Sequence, residues 1–341
     1  MKVKFYAFLI VAVFSCLPVG TAFAYTPERI FYMAKDKEKE GIESLKQNAD
    51  KIDILAPQFY VVSTDLNISG SVSQEIKNIA KEKEIKIMPL VMNYKFMQGV
   101  IHDLLSSKTA QKKAIDFMVK TAKANNFVGW QFDFENINYK DRGRYSAFIE
   151  KTAESFHKNN LILSVAVVVR NADYKDNDFY KNWSGAFDYE RIAKATDFVS
   201  IMAYDDPESE GPVASLSFIN ESLDYLRYKI PAEKLSLGIP LYYWEWALNP
   251  LVKITRDGDN ENLDFIKETF NSFSVFFKDL GSAALIYFDK NQTHIVWHED
   301  KNSFTAKLDI AKGNNFRGFS AWVLGVEDPG IWQSLSNREG L

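Results

Sequence analysis

Residues 127–136 read FVGWQFDFEN. The segment is apolar and aromatic, with two carboxylates, Asp133 and Glu135, set into it. It follows a Lys- and Asn-containing helical pattern that stops at Asn125-Asn126, and its β-forming residues read as a buried strand. Residues i and i+2 of a strand share a face, which puts Asp133 and Glu135 on one side, about 7 Å apart along the strand. Burying two carboxylates among apolar neighbours is costly unless they have partners or a task. Desolvation and mutual repulsion raise at least one pKa. Such a pair suits a general acid beside a carboxylate that stays ionised. The bland alternative is a strand end where Asp and Glu meet solvent, so the neighbouring segments must decide.

Strand-like and helix-like segments alternate on both sides. Upstream lie Arg29–Ala34, Ile52–Val62 and Ile85–Asn93 (IKIMPLVMN). Downstream lie Leu161–Arg170 (LILSVAVVVR), Thr196–Asp205 (TDFVSIMAYD), Lys234–Trp246 (KLSLGIPLYYWEW) and Arg317–Leu324 (RGFSAWVL). Helical patterns run at Gln74–Lys83, Lys108–Asn125, Asp141–His157 and Ser215–Lys229. Continuous apolar strands separated by helices predict a parallel sheet covered on its outside. Eight such units predict an α/β fold of the (β/α)8 TIM-barrel type. A doubly wound sheet would carry an early glycine-rich phosphate turn, and the sequence has none. About seventy residues separate Trp246 from Arg317, too many for one crossover. They read as a small α+β insertion over 247–315, with a helix at Leu263–Leu280, strands at Ala283–Asp289 and Thr293–His298, and a helix at Ser303–Lys312.

The N-terminus reads as a secretory signal: Lys2 and Lys4, an apolar run from Phe5 to Val13, and Ala22-Phe23-Ala24 as a small-x-small cleavage site. Residues 1–24 are therefore the expected leader and 25–341 the expected catalytic barrel. The competing readings are an uncleaved anchor, opposed by Pro18 and Gly20, and lipidation at Cys16, opposed by the bulky Phe14. Cys16 is the single cysteine, so the mature chain has no disulfide and must be held by its core. That core can be large, because 46% of the 341 residues are hydrophobic. Without Lys2 and Lys4, 39 basic residues face 45 acidic ones and the net charge is −6. There is no basic block, so nucleic acid is not an expected partner, and no stable membrane anchor is expected after cleavage.

The active site of a parallel barrel lies at the carboxyl ends of its strands. Asn93 ends the third strand, and Gln131, Asp133, Glu135 and Asn136 belong to the fourth. Met202, Tyr204 and Asp205 end the sixth, Tyr242 to Trp246 the seventh, and Trp322 stands in the eighth. Carboxylates and aromatic rings converging on one face point to a carbohydrate site, with rings on sugar faces and carboxylates at the glycosidic bond.

At these residues the chain resembles glycoside hydrolase family 18, the chitinase-like barrels. The D-x-x-D-x-D-x-E signature falls on Val128 to Glu135, Met-x-Tyr-Asp on Met202, Tyr204 and Asp205, and the eighth-strand tryptophan on Trp322. LGIPLY (Leu237–Tyr242), VWHEDKNSFTAKL (Val296–Leu308) and WVLGVEDPGIW (Trp322–Trp332) are similar to the spore-cortex and peptidoglycan branch. The resemblance implies Glu135 as general acid and the substrate's own 2-acetamido oxygen as nucleophile. It implies Asp133 orienting that group and Tyr204 hydrogen-bonding it. Asp205, Trp322, Gln131, Met202, Asn93 and Tyr242 would bind the sugar, with no cofactor and no metal. The implied partner is an amino-sugar polysaccharide, peptidoglycan or a chitin-like glycan. Two signature aspartates are replaced, by Val128 and Gln131. Gln131 cannot carry a proton, and its amide is expected to donate to Asp133. Tyr243 replaces the glycine after LGIPLY and is expected to narrow the cleft.

Two other readings also fit the sequence: a chitinase acting on chitin oligomers, and a non-catalytic, lectin-like glycan-binding barrel. They differ from the first in preferred polymer and in turnover. His294 and His298, four apart on a strand, share a face, but no third ligand stands near them in the sequence, so surface or stacking roles are expected.

Overall fold

The computed structural model describes residues 26–248 and 250–338. The leader read over residues 1–24, with its cleavage site and Cys16, lies outside them.

Eight parallel strands close into a barrel. The first, Glu28–Ala34, pairs with the eighth, Gly318–Trp322, on one side and with the second, Ile54–Gln58, on the other. The second strand resumes at Tyr60–Val62 after a break at Phe59. The third is Lys86–Ile87 and Leu90–Asn93, split at Met88-Pro89. Proline lacks the N–H that a ladder needs, but the Pro89 carbonyl still accepts from the Gln131 N–H at 3.0 Å. The ring continues through Gly129–Asp133, Ile162–Val168, Phe198–Met202 and Leu235–Pro240 and returns to the eighth strand. Each of these strands is buried on both faces, which is why its sequence is a continuous apolar run.

The helices start where hydroxyls and carboxylates can cap them. Ser107 accepts from the Ala110 N–H at the head of Lys108–Asn125, and Asn126 ends that helix in the left-handed region at φ 56°. Ser215 caps Leu216–Leu226, and Asp300 with Ser303 forms a capping box on Lys301–Gly313.

The region between the seventh and eighth strands differs from its sequence reading. The seventh strand stops at Pro240, and Tyr243–Leu248 begins a separate antiparallel sheet instead of continuing it. That sheet runs Val252–Gly258, Tyr243–Leu248, Gln292–His298, Ser282–Asp289, Ser272–Phe277 in spatial order. The helix expected at Leu263–Leu280 is shorter, Asn260–Thr269, and its second half is the edge strand Ser272–Phe277. The run SFSVFF is β-branched and aromatic, and pairing with Ser282–Asp289 decides its state. The later helix, Lys301–Gly313, packs on the seventh and eighth strands and so serves the barrel as much as the insertion.

One face of the insertion sheet packs on Asn260–Thr269 through Tyr243, Leu263, Ile266, Leu285, Tyr287 and Val296. Tyr243 therefore points into this small core, and the expectation that it narrows the cleft is overturned. It needs Gly258 opposite: a Cβ there would lie 2.0 Å from the Tyr243 ring. The other face docks on the loop after the sixth strand, where the Trp246 Nε1–H donates to the Gly211 carbonyl at 2.9 Å and the Leu216 N–H to the Leu280 carbonyl at 3.0 Å. A buried ion pair, Lys307 to Glu299 at 2.8 Å, joins the helix to the sheet's end, and Lys307 also donates to the Gly281 carbonyl.

Gly258→Ala should destabilise the protein by about 1–3 kcal/mol, the usual cost of overpacking. Thermal denaturation of Gly258→Ala, Tyr243→Ala and the double variant checks this. The double variant should be more stable than the sum of the single losses predicts.

Candidate active site

The carboxyl ends of the strands open into a cavity of about 680 Å³. Asp133, Glu135, Met202, Tyr204, Asp205, Tyr242 and Trp322 all line it. Seven residues from four strand ends thus meet where the sequence placed them.

The fourth strand ends at Asp133, and Glu135 follows one residue beyond it. Phe134 between them is buried against Phe132 and Tyr145, which turns the two carboxylates to the cavity. Asp133 is only 4% exposed. Its Oδ2 accepts from Gln58 Nε2 at 2.6 Å. Burial raises its pKa, and the Gln58 bond pulls in the opposite direction. Glu135 is raised well above the ordinary carboxylate value, first by burial, then by the charges of Asp133 and Asp205. Both causes favour the protonated carboxyl, the form a general acid needs.

Asp205 follows the sixth strand in the left-handed region, at φ 57°. The Tyr242 hydroxyl donates to its Oδ1 at 2.6 Å, so the seventh strand's end fixes the sixth's. Burial, then Tyr32 and the nearby carboxylates, raise Tyr204 well above an ordinary phenol, which keeps its O–H as a donor. The Trp322 ring lies 5.4 Å from that of Tyr32, and the Trp322–Val323 peptide is cis.

Two residues expected to bind sugar do not reach the cavity. Asn93 is fully buried. Its side chain clamps the backbone of Glu135: the Glu135 N–H donates to Asn93 Oδ1 at 3.1 Å, and Asn93 Nδ2 donates to the Glu135 carbonyl at 3.0 Å. Gln131 is also fully buried. Its Nε2 donates to Ser164 Oγ at 2.8 Å and Ser200 Oγ at 2.9 Å, with Ser236 and Ser320 extending the layer. The expected Gln131–Asp133 hydrogen bond is therefore absent, and Gln58 makes it instead. Strand alternation explains this: residues 131 and 133 share the inward face, but residue 131 lies one layer deeper in the barrel.

The two histidines of the insertion do not line this cavity. His294 Nδ1 is 2.9 Å from buried Glu245, and its ring stacks on Tyr287. His298 is buried with both ring nitrogens unpartnered. Among the described residues no three His, Cys, Asp or Glu side chains cluster as metal ligands.

The family model for glycosyl hydrolases family 18 matches residues 28–327. The chain belongs to that family. It is 31% identical over 301 residues to an uncharacterized glycosylase, YvbX, of Bacillus subtilis (strain 168), covering 86% of each chain. It is 27% identical over 272 residues to a cortical fragment-lytic enzyme of the same organism, covering 77% of this chain and 62% of that one. Among solved structures it is similar to the Bacillus megaterium spore cortex-lytic enzyme SleL, with a TM-score of 0.81 and 25% identity over 94% of this chain and 77% of that one. A chitinase from Chromobacterium violaceum shares the fold, with a TM-score of 0.80 and 22% identity over 91% and 98% of the two chains. The protein is thus a family-18 glycosidase related to spore cortex-lytic enzymes and chitinases.

The sequence reading of this glycosidase missed Gln58, Trp183 and Lys253 in the cavity wall. Gln58 lies inside the run read as one strand over Ile52–Val62, and only the break at Phe59 makes it a strand end. Trp183 arrives on the turn Tyr180–Ser184 between the fifth and sixth strands and Lys253 on the insertion strand Val252–Gly258, and barrel-strand logic gives no signal for either. Lys253 sits over Trp244 and Trp246, with its Nζ 3.0 and 4.5 Å from the ring centroids.

A buried acid with a raised pKa keeps its proton in the folded state while the unfolded chain loses it. Stability therefore falls as pH rises from the unfolded value, near 4.3, towards the folded one. Glu135→Gln removes this penalty. It should raise the stability at pH 7 relative to the wild type, by about 1.4 kcal/mol for each pH unit separating the folded and unfolded midpoints of Glu135, and the gap should close below about pH 4. Denaturant titrations across pH check this.

Proposed function

We propose that this glycosidase is secreted and cleaves β-linked N-acetylglucosamine bonds in peptidoglycan or a related amino-sugar polymer, with retention of configuration. The observation that carries the reading is that Glu135, whose pKa is raised by burial and by the charges of Asp133 and Asp205, lines one cavity with Asp133 and Tyr204. Glu135 gives its proton to the glycosidic oxygen as the bond from that oxygen to the anomeric carbon breaks. The carbonyl oxygen of the substrate's 2-acetamido group closes on the anomeric carbon and forms an oxazolinium ion. Asp133, held by Gln58, balances that positive charge, and the Tyr204 hydroxyl orients the acetamido group. Water then attacks the same carbon with Glu135 as base, and two displacements restore the starting configuration. The protein supplies no nucleophile, which separates this scheme from the two-carboxylate one.

The choice of peptidoglycan rests on similarity to a cortical fragment-lytic enzyme and to a spore cortex-lytic enzyme. Secretion rests on the leader-like sequence before Tyr25. No helix among the described residues is long and apolar enough to cross a membrane.

Purified protein incubated with peptidoglycan and, separately, with chito-oligosaccharides should shorten peptidoglycan preferentially, as read by mass spectrometry. Glu135→Gln should lose about 10²–10⁴ in kcat, the usual contribution of a positioned acid. Preference for chito-oligosaccharides would make it a chitinase, and binding without cleavage would make it a lectin-like barrel.

A further inference from the structure

We propose that Gln58, and not Gln131, is the positioning residue for Asp133: its amide holds the carboxylate as a hydrogen-bond acceptor facing the cavity. This deepens the proposed mechanism and rests on it.

The donors decide the assignment. A carboxylate can only accept, so the Gln58 atom 2.6 Å from Asp133 Oδ2 is its N–H. A carboxamide has two N–H donors. Gln131 commits its Nε2 to Ser164 and Ser200 and has none left for Asp133. Its Oε1 is buried without a hydrogen-bond partner. Gln131 is thus a core residue of the barrel, and the stabilisation of Asp133 comes from the second strand.

Among the described residues, Gln58 is the only side chain that hydrogen-bonds Asp133. The titratable groups facing Asp133 are Tyr32 from the first strand, Tyr145 from the helix Arg142–His157, Tyr204 beyond the sixth strand, and Glu135 on its own segment. Three are phenols raised above their ordinary value, and the fourth is an acid. None is a cation. With burial opposing ionisation, one short amide bond is the local interaction that favours the charged carboxylate. Gln58 also lines the cavity, so its remaining N–H and its Oε1 are available to the substrate.

The chain's geometry supports the assignment. Gln58 is the last residue before the break at Phe59, paired with Ala34 across the ladder. The break leaves its side chain at the rim, level with Asp133 rather than with the serine layer.

The test is a ¹³C NMR titration of the Asp133 carboxyl, assigned by its loss in Asp133→Asn, with kcat/KM measured against pH on the same variants. In Gln58→Leu the acid constant of Asp133 should weaken about tenfold or more, one pH unit upward, and the acid limb of kcat/KM should move up with it. In Gln58→Glu the new acid donates only while protonated, so activity should persist at low pH and its basic limb should move down. Opposite limbs moving in two variants at one position is not what lost packing produces. If Gln58→Leu does not fold, Gln58→Glu carries the test. The proposal is overturned if the Asp133 titration in the folded variants matches the wild type, or if only KM changes. The NMR arm needs no turnover, so a wild type that cleaves no polymer would defeat the function above and leave this assignment to the titration.

Discussion

The structure depends on holding two carboxylates, buried Asp133 and half-buried Glu135, side by side at the end of one strand. Each would rather be solvated, and each raises the cost of ionising the other. The barrel meets that cost in two ways. Asp133 receives a fixed N–H from Gln58. Glu135 receives nothing comparable on its side chain, only a clamp on its backbone from Asn93. Both carboxyls are raised by burial, but the Gln58 bond opposes the rise at Asp133, whereas the charges of Asp133 and Asp205 add to it at Glu135. One strand thereby supplies both an acid and a charge.

That division organises what surrounds it. The loop after the third strand is tied to the segment after the fourth through Asn93 and through Asn136, which donates to the Phe96 carbonyl. Tyr242 fixes Asp205, whose charge adds to the pressure on Glu135. The insertion sheet, docked through Trp246 and Leu280, brings Trp244 and Lys253 to the rim. Beneath lies the serine layer around Gln131, polar but internally paired except for one amide oxygen. Rigidity under the site comes from this layer and from the aromatic packing of Phe132, Phe134 and Phe148.

The barrel was legible because its strands are buried on both faces and so appear as unbroken apolar runs. Asp133, Glu135, Tyr204, Asp205 and Trp322 were legible because strand ends face the mouth. Depth along a strand was not: alternation assigns Gln131 and Asp133 to one face but does not say which reaches the cavity. Asn93 shows the same limit, since a polar residue at a strand end can bind substrate or bind backbone. The insertion was the least legible part. SFSVFF reads as the end of an amphipathic helix until a partner strand is present, and Tyr243 looks like a cleft residue until the new sheet turns it inward.

The central claim is that burial, with the charges of Asp133 and Asp205, raises the pKa of Glu135 and so fits it for the role of acid. The direct measurement is the ¹³C titration of the Glu135 carboxyl in the wild type and in Asp133→Asn. The account predicts a wild-type midpoint well above the ordinary glutamate value and a lower one when the Asp133 charge is removed. A wild-type midpoint at or below the ordinary value would contradict it, because Glu135 would then have no proton to give.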